Sequence, residues 1–80
     1  MTQEDALRWI AALFEERAEN LTSDTHRDAI PAWDSLGILT LIASLDSDFG
    51  IVLADADIQH IKTVGDILHI MQAKGKLKSP

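Results

Sequence analysis

The sequence predicts an all-α fold: a small four-helix bundle of three longer helices and one short one, with a long loop between the first and second. Three observations carry that prediction. Apolar residues recur at three- and four-residue spacing in three separate stretches. Each stretch is entered through a residue suited to cap a helix, Thr2, Asp34 or Ser35, and Thr63. The one short run that suits a strand, Ile51-Val52-Leu53, has nothing nearby to pair with.

The first helix is expected over 2–18. Thr2 with Asp5 forms a cap followed by an acid in the first turn, and Leu7, Ile10, Leu13 and Phe14 repeat at helical spacing. Arg17 near its end suits the helix dipole. Residues 19–33 read as a loop, because Asn20, Thr22, Ser23, Asp24 and Thr25 offer the backbone competing hydrogen bonds. Leu21 and Ile30 pin it to the core. A loop of this length in a small domain is unusual and often functional.

The second helix starts at Asp34 or Ser35, runs to Phe49 and stops at Gly50. Its apolar residues form two stripes. Leu41, Leu45 and Phe49, with Ile38 or Ile42, suit the interior. Leu36, Leu39 and Ala43 fall on another face, and an exposed apolar stripe marks a contact surface. Asp55 caps a short third helix over 56–61. Thr63 with Asp66 opens the last helix, in which Val64, Ile67, Leu68, Ile70 and Met71 repeat before Gly75. The expected core is Leu7, Ile10, Leu41, Leu45, Phe49, Val64 and Ile67. The chain reads as one domain over 1–80, with a flexible basic tail from about 75 to 80.

Eighty residues with a formal charge of −6 leave little room for a deep catalytic cleft, since a chain this short builds only a small core. Nucleic acid is excluded as a partner: no Lys or Arg lies between Arg27 and Lys62, and phosphate backbones need clustered cations. The absence of cysteine excludes disulfides, thiolate catalysis and cysteine-bound zinc. Any thiol chemistry must come from an attached group. The acidic start is no signal peptide, and the uncharged run from Ser35 to Leu45 falls far short of the ~20 residues of a membrane span. A cytoplasmic protein without membrane insertion is expected.

Catalytic motifs are missing. No serine sits in a Gly-x-Ser-x-Gly elbow. His26, His60 and His69 are scattered, without the i, i+4 spacing of a helical metal pair. The run from Asp46 to Asp57 has its glycine one position too early for a calcium loop. No metal is expected.

Asp34-Ser35-Leu36 is different. A long loop delivers a serine to a helix start, and an apolar stripe begins at the next residue. Leu45-Asp46-Ser47-Asp48-Phe49-Gly50-Ile51 and Ile61-Lys62-Thr63-Val64-Gly65-Asp66-Ile67 follow at fitting distances. Over residues 34–71 the chain resembles the acyl carrier proteins, and these three blocks in order are specific. The resemblance implies that Ser35 carries 4′-phosphopantetheine donated by coenzyme A, flanked by Asp34 and Leu36. It implies docking of partner enzymes on Leu36, Leu39, Ala43, Asp46 and Asp48. The partners would be a phosphopantetheinyl transferase and acyl-loading and acyl-transferring enzymes. The protein would be a monomeric carrier and no enzyme, serving fatty acid, polyketide or another dedicated acyl-transfer pathway. Gly37 and Thr40 stand where the primary-metabolism pattern has acids early in the helix. Trp33-Asp34-Ser35-Leu36-Gly37 therefore looks more like free-standing carriers of dedicated pathways. A peptidyl carrier and an unmodified helical adaptor are the alternatives.

Overall fold

The computed structural model describes residues 1–77. Among them four helices follow one another: α1, Gln3–Leu13; α2, Ser35–Phe49; α3, Asp55–His60; and α4, Val64–Ala73. Two 3-10 turns, Ala18–Asn20 and Arg27–Ala29, lie in the loop between α1 and α2. This is the expected all-α bundle.

The helix starts follow from local hydrogen bonds. The Thr2 hydroxyl accepts from the Asp5 N–H at 3.1 Å, and the Asp5 carboxylate accepts from the Thr2 N–H at 3.3 Å. At α4 the Thr63 hydroxyl accepts from the Asp66 N–H at 3.2 Å. The Asp66 carboxylate in turn accepts from the N–H groups of Lys62, at 2.8 Å, and Thr63, at 3.0 Å. Each is a capping box, which satisfies amides that the first turn leaves open. The bonds from the Lys62 and Thr63 amides hold the Asp66 carboxyl below its ordinary pKa. At α3 the cap position is Ala54 rather than the expected Asp55, with the Asp57 carboxylate accepting from the Ala54 N–H at 3.0 Å.

α1 is shorter than expected, ending at Leu13 rather than residue 18. Glu15 takes a left-handed conformation, φ 57°. The Glu16 N–H reaches the Ala11 carbonyl at 2.8 Å, and the Glu15 N–H the Ala12 carbonyl at 3.4 Å. This is a Schellman turn. The same turn closes α4 with Gly75 at φ 74°, where Lys76 bonds to Met71 and Gly75 to Gln72. Glycine announces the second turn in the sequence, and nothing announces the first. Arg17, expected inside the helix, lies past it and pairs with Glu19 at 2.7 Å.

Ile10, Phe14, Leu41, Leu45, Ile51, Val64, Ile67 and Met71 form the deep core. Leu7 and Phe49, expected there, are half-buried. Phe49 stands in the last turn of α2, at the edge of the bundle, and meets the edge of Trp9 with centroids 4.9 Å apart. The central aromatic pair is Phe14 stacked on Trp33, also at 4.9 Å.

The long loop is ordered by burial and by backbone pairing. Leu21, Ile30 and Trp33 are buried. His26 and Thr63 form an isolated antiparallel bridge. Around it Arg27 donates to the Lys62 carbonyl, Val64 to that of Thr25 and Gly65 to that of Ser23, all within 3.0 Å. A Cβ at Gly65 would stand 2.7 Å from the Ser23 carbonyl oxygen, so the close approach requires glycine. In the tail Lys74, Gly75 and Lys76 are exposed and Leu77 is half-buried against the core. The remainder of the expected flexible tail, 78–80, lies outside the described residues.

Candidate functional site

Asp34 enters α2 in an extended conformation, and its carboxylate accepts from the Gly37 N–H at 2.9 Å. Its carbonyl takes the Ile38 N–H, also at 2.9 Å. Among the described residues this leaves the Ser35 and Leu36 amides of the first turn for water or an anion. Ser35 is the first residue of the helix and is exposed. Its hydroxyl therefore stands at the positive end of a 15-residue helix.

Two features set the direction from which the chain reaches Ser35. Trp33 is buried, its ring stacked on Phe14, and its backbone N–H donates to the Ile30 carbonyl at 3.0 Å. Two residues beyond Ser35, a Cβ at Gly37 would run into the Ala32 carbonyl oxygen. The end of the loop can thus lie on the first turn of α2 because position 37 has no side chain. In the sequence Gly37 stands where an acid is expected, and a glycine inside a helix costs about 1 kcal/mol relative to Ala; the structure gives it a packing role.

From Ser35 an apolar face runs along α2. Leu36 is 71% exposed and Leu39 62%, and Ala43 follows, also exposed. Asp46 and Asp48 are exposed as well, but the Asp48 position lies about 20 Å from Ser35 along the axis at 1.5 Å per residue. The Asp48 carboxylate accepts from the Trp9 indole N–H at 2.8 Å, tying α2 to α1. The entry and outer face of α2 thus carry Asp34, Ser35, Leu36, Leu39 and Ala43, with Asp46 about one turn beyond Ala43 and Asp48 near the end of the helix.

A groove and a cleft flank the start of α2. On the α1 side the groove is bordered by Leu13, Glu15, Asp34, Leu36 and Thr40. On the α3 side a small apolar cleft is lined by Trp33, by Ile38, Leu41 and Ile42 of α2, by Leu53, and by Ile58 and Ile61. In the sequence Trp33 enters only as part of Trp33-Asp34-Ser35-Leu36-Gly37; its place in the wall of this cleft has no signal there. His60 and His69 border a groove between α3 and α4 with Asp57 and Asp66. Among the described residues no three side chains converge to hold a metal ion.

No family model matches the chain. The structure aligns with the solution NMR structure of the holo acyl carrier protein from Geobacter metallireducens at a TM-score of 0.77. The two are 36% identical, and the alignment covers 92% of this chain and 86% of that one. The chain belongs to the acyl carrier protein family. It is also 42% identical over 41 residues to the acyl carrier protein of Thermotoga maritima, a match that spans 51% of each chain. The chain thus covers about half the length of that curated relative. In this acyl carrier protein family member the exposed serine, the capping aspartate and the outward apolar stripe all belong to one helix and its entry. Among the described residues no helix is long and apolar enough to cross a membrane.

Proposed function

We propose that this protein carries acyl groups as thioesters on a 4′-phosphopantetheine arm joined by a phosphodiester to the Ser35 hydroxyl. The observation that carries this reading is the exposed Ser35 at the first position of α2, beside first-turn amides that the helix itself does not use. A phosphodiester there meets a helix N-terminus, which favours an anion through its amides and its dipole. The arm supplies a terminal thiol, which the cysteine-free chain lacks. Asp34 fixes the first turn through its bond to Gly37, and the burial of Trp33 fixes the approach of the chain.

The protein itself catalyses nothing in this reading. A phosphopantetheinyl transferase attaches the arm, and acyl-loading and acyl-transferring enzymes dock on Leu36, Leu39 and Ala43. With Gly37 and Thr40 in the first half of α2, that docking rests on apolar contact more than on charge. Asp46 and Asp48 would contribute only to partners that reach the far end of α2. A cytoplasmic monomer serving a dedicated acyl-transfer pathway fits this role.

Incubation with coenzyme A and a phosphopantetheinyl transferase tests the reading. The intact mass of the wild-type chain should rise by one phosphopantetheine. Ser35→Ala should keep the helical circular dichroism spectrum and gain no mass. A wild-type chain that stays unmodified, or an Ala variant that still gains the arm, would overturn the assignment.

A further inference from the structure

The indole N–H of Trp33 is buried and, among the described residues, makes no hydrogen bond. The side chain is only 7% exposed. An unpaired buried donor is unfavourable and calls for an explanation. Trp9 provides the contrast within the same molecule, since its indole N–H donates to Asp48 at 2.8 Å. One ring face of Trp33 is taken by Phe14, and Trp33 forms part of the wall of the cleft between α2 and α3. The other residues lining that cleft are leucines and isoleucines, with no side-chain polar group. A water entering it would find few of the two to four partners that buried water needs. An oxygen carried on a hydrocarbon chain meets both demands, because the chain supplies apolar contact and the oxygen supplies the acceptor.

We propose that the Trp33 indole N–H is a cargo-reading donor, which bonds to an oxygen on the acyl chain. The cargo class it favours is a short acyl group bearing a hydroxyl or keto oxygen, over the saturated acyl group of the same length. This rests on the carrier reading above. Trp33 acts by hydrogen bonding alone, and no bond is made or broken in the cargo.

The test compares butyryl, 3-hydroxybutyryl and 3-oxobutyryl forms of the full chain, each loaded from the matching acyl-coenzyme A by a phosphopantetheinyl transferase. Loading is verified by intact mass, so failure of the carrier reading appears as absence of modification, before any cargo is compared. In nitrogen-15 correlated NMR spectra the chain gives two indole signals. That of Trp33 should move downfield in the hydroxy and keto forms and stay in place in the butyryl form, while that of Trp9 stays in place throughout. The thioester of the 3-hydroxybutyryl form should hydrolyse about twofold to tenfold more slowly on the wild-type chain than on Trp33→Phe, the range that one hydrogen bond of ordinary net strength gives, while the butyryl form should hydrolyse at the same rate on both. Trp33→Phe keeps the ring stack and removes the donor, so this comparison holds the cargo's own reactivity fixed. Equal shifts in all three forms would mean that the donor reads the thioester common to them, and an unmoved signal that it reads no cargo. Either result overturns the proposal on the wild-type protein alone, whether or not the Phe variant folds.

Discussion

Along α2, Gly37, Leu41 and Leu45 follow one another at four-residue spacing on the inner face, while Leu36, Leu39 and Ala43 line the outer one. Residues of the same kind meet opposite fates. Leu41 and Leu45 are almost wholly buried, whereas Leu36 and Leu39 are mostly exposed. The loop end and Phe14 close over the inner face at Gly37, and nothing among the described residues covers Leu36 or Leu39 in the same way. Apolar character therefore does not separate a core residue from a contact residue on this helix. What separates them is the arrival of chain from elsewhere, and the outer face is left to partners. One helix thus holds the fold together on one side and, in the carrier reading, meets enzymes on the other.

The inner face should be the costlier one to alter. Leu45→Ala removes a wholly buried side chain and should cost about 2–5 kcal/mol, read as a lower midpoint in urea unfolding. That is a large share of the roughly 5–15 kcal/mol available to an ordinary domain. Gly37→Ala should cost about 1–3 kcal/mol, as overpacking does, because the added methyl meets the Ala32 carbonyl. It should also slow modification of Ser35 by displacing the chain that leads into it. A Gly37→Ala variant as stable as wild type would show that the loop end is free to move away, and would weaken the distinction between the faces.

Asp66→Asn provides a control away from α2. Loss of the carboxylate that clasps the Lys62 and Thr63 amides should cost about 1 kcal/mol at neutral pH, as the loss of a cap does. The sign of its pH dependence follows from the lowered pKa in the folded state. The stabilisation is complete above the unfolded pKa, about 3.9 for an ordinary Asp, and is lost as pH falls from there through the folded value. The difference between wild type and variant should therefore be constant at neutral pH and disappear in acid, as seen by urea titration at several pH values. The rate of Ser35 modification should be unchanged.

The smallest effect on stability is expected on the outer face. Leu39→Ser should change stability by no more than about 0.5 kcal/mol, as at other surface sites, and should slow loading by the transferase. A sharp fall in melting temperature with unchanged loading would assign Leu39 to the core.

The starts of the three longer helices were legible in the sequence because their causes are local. Thr2 with Asp5, Asp34 with Gly37, and Thr63 with Asp66 each close a bond over three residues, so the chain states them wherever it folds. Gly50 and Gly75 likewise mark ends by their ease in the left-handed region. Asp-Ser-Leu at a helix start, and the surplus apolar stripe after it, were readable for the same reason: a helix fixes which residues are neighbours. The end of α1, the burial of Trp33 and the need for glycine at 37 and 65 were not. The end of α1 turns on a left-handed Glu15, a conformation its residue type does not announce; the other three depend on groups brought in by the fold: Phe14 on Trp33, Ala32 on Gly37, Ser23 on Gly65. The same holds for Asp48, which reads as a free acid until Trp9, 39 residues away in sequence, donates to it. The sequence by itself determined the helices and the place of the serine, since local hydrogen bonds and periodicity depend on neighbours along the chain. Only the tertiary structure decided that Leu7 and Phe49 stand at the edge of the core and which tryptophan keeps an unpaired donor, since burial depends on segments that are distant in sequence and meet only when the chain folds.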